Sequence, residues 1–376
     1  MTPQTEFPSE LLLQSSATRL AYFQHKVVAH PHLQETHQQL WQAIQQPSGA
    51  SLIFVFGPTG AGKTTLRYRL EQQLWEAGRQ AIEEDPGHIP VVGLEVAVAD
   101  ADSFRWRDYY KRALVALDEP MLDHKILPDH ILHKRVELRD SGRYKVTSEL
   151  RWALEQALLH RRPTAFIVDE AQHLKRIASG RRLLDQMDTL KSLANMTGIT
   201  HVLIGTYELL GFAQLSAQLD RRSFEIHFPR YHIDIPEEML AFKRVLLTFQ
   251  RHLPLTGEPD LVSQAEYLYE RSVGCVGVLK DWLTRALSEA LEDGQETLTK
   301  TALERQALPH RKLLRMAREI REGEETLAAN SHAQTELRSL LGMPIESAEQ
   351  HPSSSSRKVG KRNPVRDPVG HHEQAA

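Results

Sequence analysis

One cysteine, Cys275, stands alone in 376 residues, so the chain can form neither an internal disulfide nor a cysteine-based metal cluster. Long apolar runs are missing too: no stretch approaches the roughly 20 residues needed to span a bilayer. The first residues carry Glu6, Glu10 and several glutamines, which is unlike a secretory signal. The expectation is a cytoplasmic protein with no membrane partner. Neither sign of charge dominates. With 46 Lys and Arg against 49 Asp and Glu, the net charge of −3 excludes a uniformly basic nucleic-acid coat but leaves room for a local basic patch. Hydrophobic residues at 41% and charged residues at 25% are ordinary for a globular protein, and the length suits about two domains.

Against that background one run is highly specific. GPTGAGKTT (Gly57, Pro58, Thr59, Gly60, Ala61, Gly62, Lys63, Thr64, Thr65) fits G-x-x-x-x-G-K-[ST] and lies between the apolar run LIFVF and the helical pattern TLRYRLEQQLWEAG. A triphosphate is a dense anion that needs several converging backbone N–H groups. Glycines at 57, 60 and 62 clear the approach and allow positive φ, and the following helix presents its N-terminal amides. Lys63 reaches the β- and γ-phosphates and the Thr64 hydroxyl completes a Mg²⁺ shell. The run implies ATP or GTP binding.

Strands alternate with helices as far as about residue 232. Strand candidates are Leu52–Phe56, Ile89–Val98, the buried run AFIVDE, THVLIGT ending at Thr206, and FEIHF. Helices are expected at FRWRDYYKRALVAL, 148–160, 181–196 and 207–219. That order predicts an α/β fold with a parallel sheet flanked by helices, followed by a smaller all-α domain. With the P-loop, the acids Asp169 and Glu170, the strand ending at Thr206 and the Arg221–Arg222 pair, the whole resembles an AAA+ P-loop NTPase. The periodicity is helical only from Pro236, with segments at 236–252, 260–272, 276–293, 299–307 and 310–329. The expected domains are a helical extension (1–48), the ATPase domain (49–232, with an insertion at about 118–146), a helical lid (233–329) and a Ser-rich basic tail (330–376). The tail is too polar to bury a core and carries Arg357, Lys358, Lys361, Arg362 and Arg366. His124, His130, His133 and Asp129 in the insertion lack tight ligand spacing and read as solvated.

Hydrolysis needs acids beside the phosphate loop. Asp169, at the end of its strand, suits the Mg²⁺ water shell, and Glu170 can polarise the attacking water. Thr206 ends a strand where a side chain can sense the γ-phosphate. Arg221 and Arg222, just before the last strand, offer an arginine finger to a neighbouring protomer, with Arg222 slightly favoured.

Several runs resemble the TniB/TnsC family of transposition ATPases: VDEAQHL, DQMDTLKSLANMTGITHVLIGTYELL, QLDRRSFEIHFPRY, FRWRDYYKRALVALDEP and HPHLQETHQQLWQAI. The resemblance covers about residues 25–295. It implies ATP and Mg²⁺ as cofactors, assembly into rings or filaments on duplex DNA, a transposase and a target-selection factor as partners, and hydrolysis that drives disassembly. It gives Lys63, Thr64, Asp169 and Glu170 their usual roles, Thr206 the sensor position and the arginine pair the finger. Gly277 stands where a sensor arginine is expected, leaving Lys280 as a substitute near the nucleotide; this departure suits a slow, regulated ATPase. For DNA contact, Arg105, Arg107, Lys111 and Arg112 share one helix with a single opposing Asp108, and sequence-tolerant phosphate binding is expected. Two rival readings remain: an AAA+ initiator or helicase loader, and a nucleotide-gated adaptor with negligible turnover.

Overall fold

The computed structural model describes residues 6–45, 50–96, 104–122, 142–177, 181–213 and 223–343. Two compact units divide the chain, Met1–Glu325 and Thr326–Ala376. Five parallel strands form one sheet: β1 (Leu52–Phe56), β2 (Val91–Glu95), β3 (Ala165–Asp169), β4 (Thr200–Gly205) and β5 (Ser223–His227), in the order β2-β3-β4-β1-β5. The central strands are buried on both faces, which is why LIFVF, AFIVD and THVLIG read as near-continuous apolar runs instead of alternating. β5 is an edge strand and leaves Phe224 45% exposed.

The register aligns the strand ends that build the site. Phe56 of β1 lies opposite Gly205 of β4 and His227 of β5. Since β4 separates β1 from β3, the residue after Gly205 emerges between the phosphate loop and the acids that end β3. Helices α3 (Lys63–Ala77), α4 (Arg79–Glu84), α5 (Trp106–Ala116), α6 (Gly142–Arg161) and α7 (Arg181–Thr197) occupy the crossovers. After β4 comes a 3₁₀ turn, Tyr207–Leu209, then a short α8, Leu210–Ala213, in place of the first part of the single helix expected over 207–219; residues 214–220 lie outside the described set.

The helical region follows the expected pattern: α9 (Pro236–His252), α10 (Ala265–Ser272), α11 (Val276–Glu292), α12 (Lys300–Gln306) and α13 (His310–Leu340). Two departures have physical causes. The N-terminal segment is not a single appendage. Phe23, on α1 (Ser16–His25), and Val28 enter the core of the helical region, whereas Leu33, Leu40 and Ile44, on α2 (Pro31–Gln45), enter the core beneath the sheet. Further on, α13 continues eleven residues past the expected end at 329, because AANSHAQTELRSL has no proline or glycine to stop it. The insertion histidines and the basic cluster at 357–366 lie outside the described residues. No helix among those described is long and apolar enough to cross a membrane.

Candidate active site

The phosphate loop leaves β1 at Phe56 and enters α3 at Lys63, with Gly62 (φ 109°) as its N-cap. Gly57 needs no unusual φ. A Cβ there would sit 2.1 Å from the carbonyl oxygen of Phe228, so the glycine is required by the close approach of the strand after β5. Lys63 is 7% exposed, and its Nζ donates to the carbonyls of Gly57 (3.1 Å) and Pro58 (2.8 Å). Burial pulls its pKa down, partly offset by Glu170, Cys275 and Asp169. Thr64 is exposed at the mouth of the loop, and its side chain helps to favour the charged form of the Asp169 carboxylate.

Asp169 is 1% exposed, and burial raises its pKa despite the backbone N–H of Glu170 (2.9 Å to Oδ1) and the nearby Arg67. Arg67 Nη1 lies 3.8 Å from Asp169 Oδ2, and Arg67 Nε donates to Glu71 at 2.6 Å. Glu170 occupies the left-handed region at φ 53°, an uncommon conformation for a residue with a Cβ. Its carboxylate accepts a hydrogen bond from Gln172 Nε2. Gln172 Oε1 in turn accepts from the backbone N–H of Thr206 at 3.2 Å. Thr206 Oγ1, just past the end of β4, is buried without a hydrogen-bond partner, a polar hydroxyl left to be satisfied.

The helical region closes the loop from above. The N–H of Gly277, one residue into α11, donates to the carbonyl of Gly60 at 2.7 Å. A Cβ on Gly277 would meet that oxygen at 2.6 Å, and one on Gly60 would meet Val278 Cγ2 at 2.5 Å. The position expected to hold a sensor arginine is therefore a backbone contact. Lys280 Nζ donates instead to the carbonyl of Gln24 at 2.7 Å, which turns its ammonium toward the C-terminal end of α1.

These groups suit magnesium-nucleotide: a lysine already holding two acceptors, an exposed Thr64 hydroxyl, a buried Asp169 carboxylate, an unpartnered threonine hydroxyl, and a helix N-terminus. Residues 44–212 match the protein family described as AAA domain. The fold is that of an AAA+ P-loop domain. Among solved structures, the Aeropyrum pernix ORC1 protein in complex with DNA is similar, with a TM-score of 0.50 and 18% identity over 79% of this chain and 68% of that one. The ADP form of the Aeropyrum pernix ORC2 protein gives a TM-score of 0.48 and 14% identity over 76% of this chain and 71% of that one. At such identities the likeness is one of fold. No curated protein matches the chain.

The AAA+ fold thus gathers Lys63, Thr64, Asp169, Glu170 and Thr206 around one loop. Arg221 and Arg222 lie outside the described residues, directly before β5. On α5, Arg105, Arg107 and Arg112 are exposed and Lys111 is half-buried, while Tyr109 and Tyr110 are both 3% exposed and pack with Trp106 and Phe104. The tyrosines are core residues. Arg67 and Gln172 belong to the site but carry only weak signals in the sequence: the four-residue spacing of Arg67 from Lys63, and a glutamine two positions after the second acid.

Proposed function

We propose that this chain hydrolyses ATP, assembles on duplex DNA and hands a target site to a transposase, hydrolysis releasing the assembly. The reading is carried by the convergence of Lys63, Thr64, the buried Asp169 carboxylate, Glu170 and the unpartnered Thr206 hydroxyl at the ends of β1, β3 and β4. Residues 49–232 supply the ATPase body and 233–329 its lid. Lys63 and the loop amides of Gly57 to Thr65 bind the phosphates, exchanging neutral carbonyls for anionic oxygens. Thr64 and Asp169 hold the Mg²⁺ and its water shell, and Thr206 meets the γ-phosphate. The metal supplies charge neutralisation on the β- and γ-phosphates. Glu170 accepts the proton of the attacking water as the γ-phosphorus–oxygen bond breaks, giving ADP and phosphate.

The transposition role rests on the resemblance of VDEAQHL and the runs after it to the TniB/TnsC family. Arg221 or Arg222 completes a neighbour's site, and Arg105, Arg107, Lys111 and Arg112 follow the phosphate backbone. The initiator-type alternative shares every ATPase step and differs in the partner that receives the DNA. Lys63→Ala should abolish magnesium-ATP binding, and Glu170→Gln should bind ATP yet release phosphate only at a small residual rate. Electron microscopy of the protein with DNA and a non-hydrolysable ATP analogue should show rings or filaments threaded by DNA. Turnover by Glu170→Gln at the wild-type rate removes the proposed mechanism, and particles without DNA remove the assembly role.

A further inference from the structure

The side chain that links the proposed base to the end of β4 belongs to neither. Gln172 is 6% exposed, in the 3₁₀ turn Ala171–Ile177 that follows β3. Its amide stands between two groups of opposite hydrogen-bonding type. The Glu170 carboxylate can only accept, and it receives Nε2; the Thr206 N–H can only donate, and it gives to Oε1. The two partners fix the amide in one orientation. The neighbouring backbone is shaped around it as well: a Cβ on Gly205 would lie 2.3 Å from Gln172 Oε1. Glu170 itself is held at positive φ, so its carboxylate has few ways to relax without losing this contact.

We infer that Gln172 is a positioning residue that ties the Glu170 carboxylate to the residue proposed to meet the γ-phosphate. Any shift of the Thr206 backbone reaches Glu170 through one rigid amide, whose other end carries the carboxylate. Gln172 touches neither substrate nor metal; it acts through Glu170. Carboxamide chemistry is what the place requires. A glutamate at 172 keeps the acceptor for Thr206 N–H but puts a like charge against Glu170. A methionine keeps the volume and loses both bonds. This inference rests on the ATPase reading above.

The test compares wild-type protein, Gln172→Glu, Gln172→Met, Glu170→Gln and the double variant Glu170→Gln/Gln172→Glu for phosphate release, fluorescent ATP-analogue affinity and thermal midpoint. Gln172→Glu should keep nucleotide affinity within about twofold and lose at least about tenfold in kcat, in line with misplacement of a catalytic group. Its thermal midpoint should fall, since a second carboxylate is buried against Glu170, and should recover in the double variant, where an amide again faces a carboxylate. Gln172→Met should lose kcat to a similar extent. In the Glu170→Gln background, Gln172→Glu should change the residual rate little, because its effect passes through the residue already removed. A purely structural role gives additive losses that follow thermal stability, and that outcome overturns the coupling. Wild-type kcat in Gln172→Met overturns it as well and leaves the ATPase standing. Absence of hydrolysis in the wild-type protein, or full activity in Glu170→Gln, overturns both.

Discussion

Replacing Gly277 with alanine adds one methyl group at the place where the helical region meets the phosphate loop. The new Cβ would lie 2.6 Å from the Gly60 carbonyl oxygen and 3.1 Å from its carbon, both backbone atoms with no rotamer to move aside. The helix end must retreat by roughly half an ångström to restore van der Waals separation. Retreat weakens the 2.7 Å Gly277–Gly60 hydrogen bond, at about 1 kcal/mol. Overpacking adds about 1–3 kcal/mol. The lower entropy of the unfolded alanine chain returns about 0.4–1 kcal/mol. The net loss is about 1–3 kcal/mol, a fall of roughly 2–5 °C in Tm for a unit of this size. Because Gly60 lies in the phosphate loop, ATP affinity should fall about tenfold as the loop amides lose alignment. Gly211→Ala is the control: it sits in α8 with only the flexible end of Lys175 nearby, at 3.5 Å, and should be neutral or slightly stabilising. Thermal melts with and without magnesium and a non-hydrolysable ATP analogue make the comparison. A Gly277→Ala protein that melts at or above the wild-type temperature and binds ATP equally well would refute the contact.

Glu170→Gly should be about 1 kcal/mol more stable than Glu170→Ala in urea denaturation, since both lose the Gln172 bond and only alanine keeps a Cβ in the left-handed region; equal stability would mean that the backbone there is not strained. Burial lowers the pKa of His30 to about 3 and that of His201 to about 4, so both are neutral when folded and take up protons on unfolding. Stability should therefore be full above about pH 6.5 and decline toward pH 4, with about 2 kcal/mol lost for each at pH 5; equal urea midpoints at pH 7.5 and 5.0 would contradict this. Removing Arg105 and Arg107 together should lower DNA affinity alike for all sequences and reduce the slope of log K against log salt by about 2. An unchanged slope would place the phosphate contacts elsewhere. If Arg221 or Arg222 completes a neighbour's site, specific ATPase activity should rise steeply with protein concentration, and a flat dependence would count against the finger.

The parallel sheet was legible because three of its strands are buried on both faces and spell unbroken apolar runs bounded by the phosphate loop, the acid pair and Thr206. The acids were legible because their chemistry depends on residue type at a strand end. Gly277 was noticed only as a missing arginine, since a contact between two backbones leaves no trace in a side-chain alphabet. The partner of Lys280 was not legible for the complementary reason: a long flexible cation reaches whichever acceptor packing provides, here the carbonyl of Gln24. Gln172 escaped because its two partners, Glu170 and Thr206, come together only when β3 and β4 pair.

The chain passes between its two cores twice, at residues 26–32 and again at 229–232, and Tyr231 clasps both passages. Its hydroxyl meets His30 Nδ1 at 3.1 Å, its ring stacks on His32 at 4.3 Å, and its own N–H donates to the Gly274 carbonyl just ahead of α11. A protein trimmed to start at residue 49 would therefore lose more than an ornament: Phe23 and Val28 would leave a hole in one core, Leu33, Leu40 and Ile44 in the other, and the tyrosine would grip a single strand of a joint made for two.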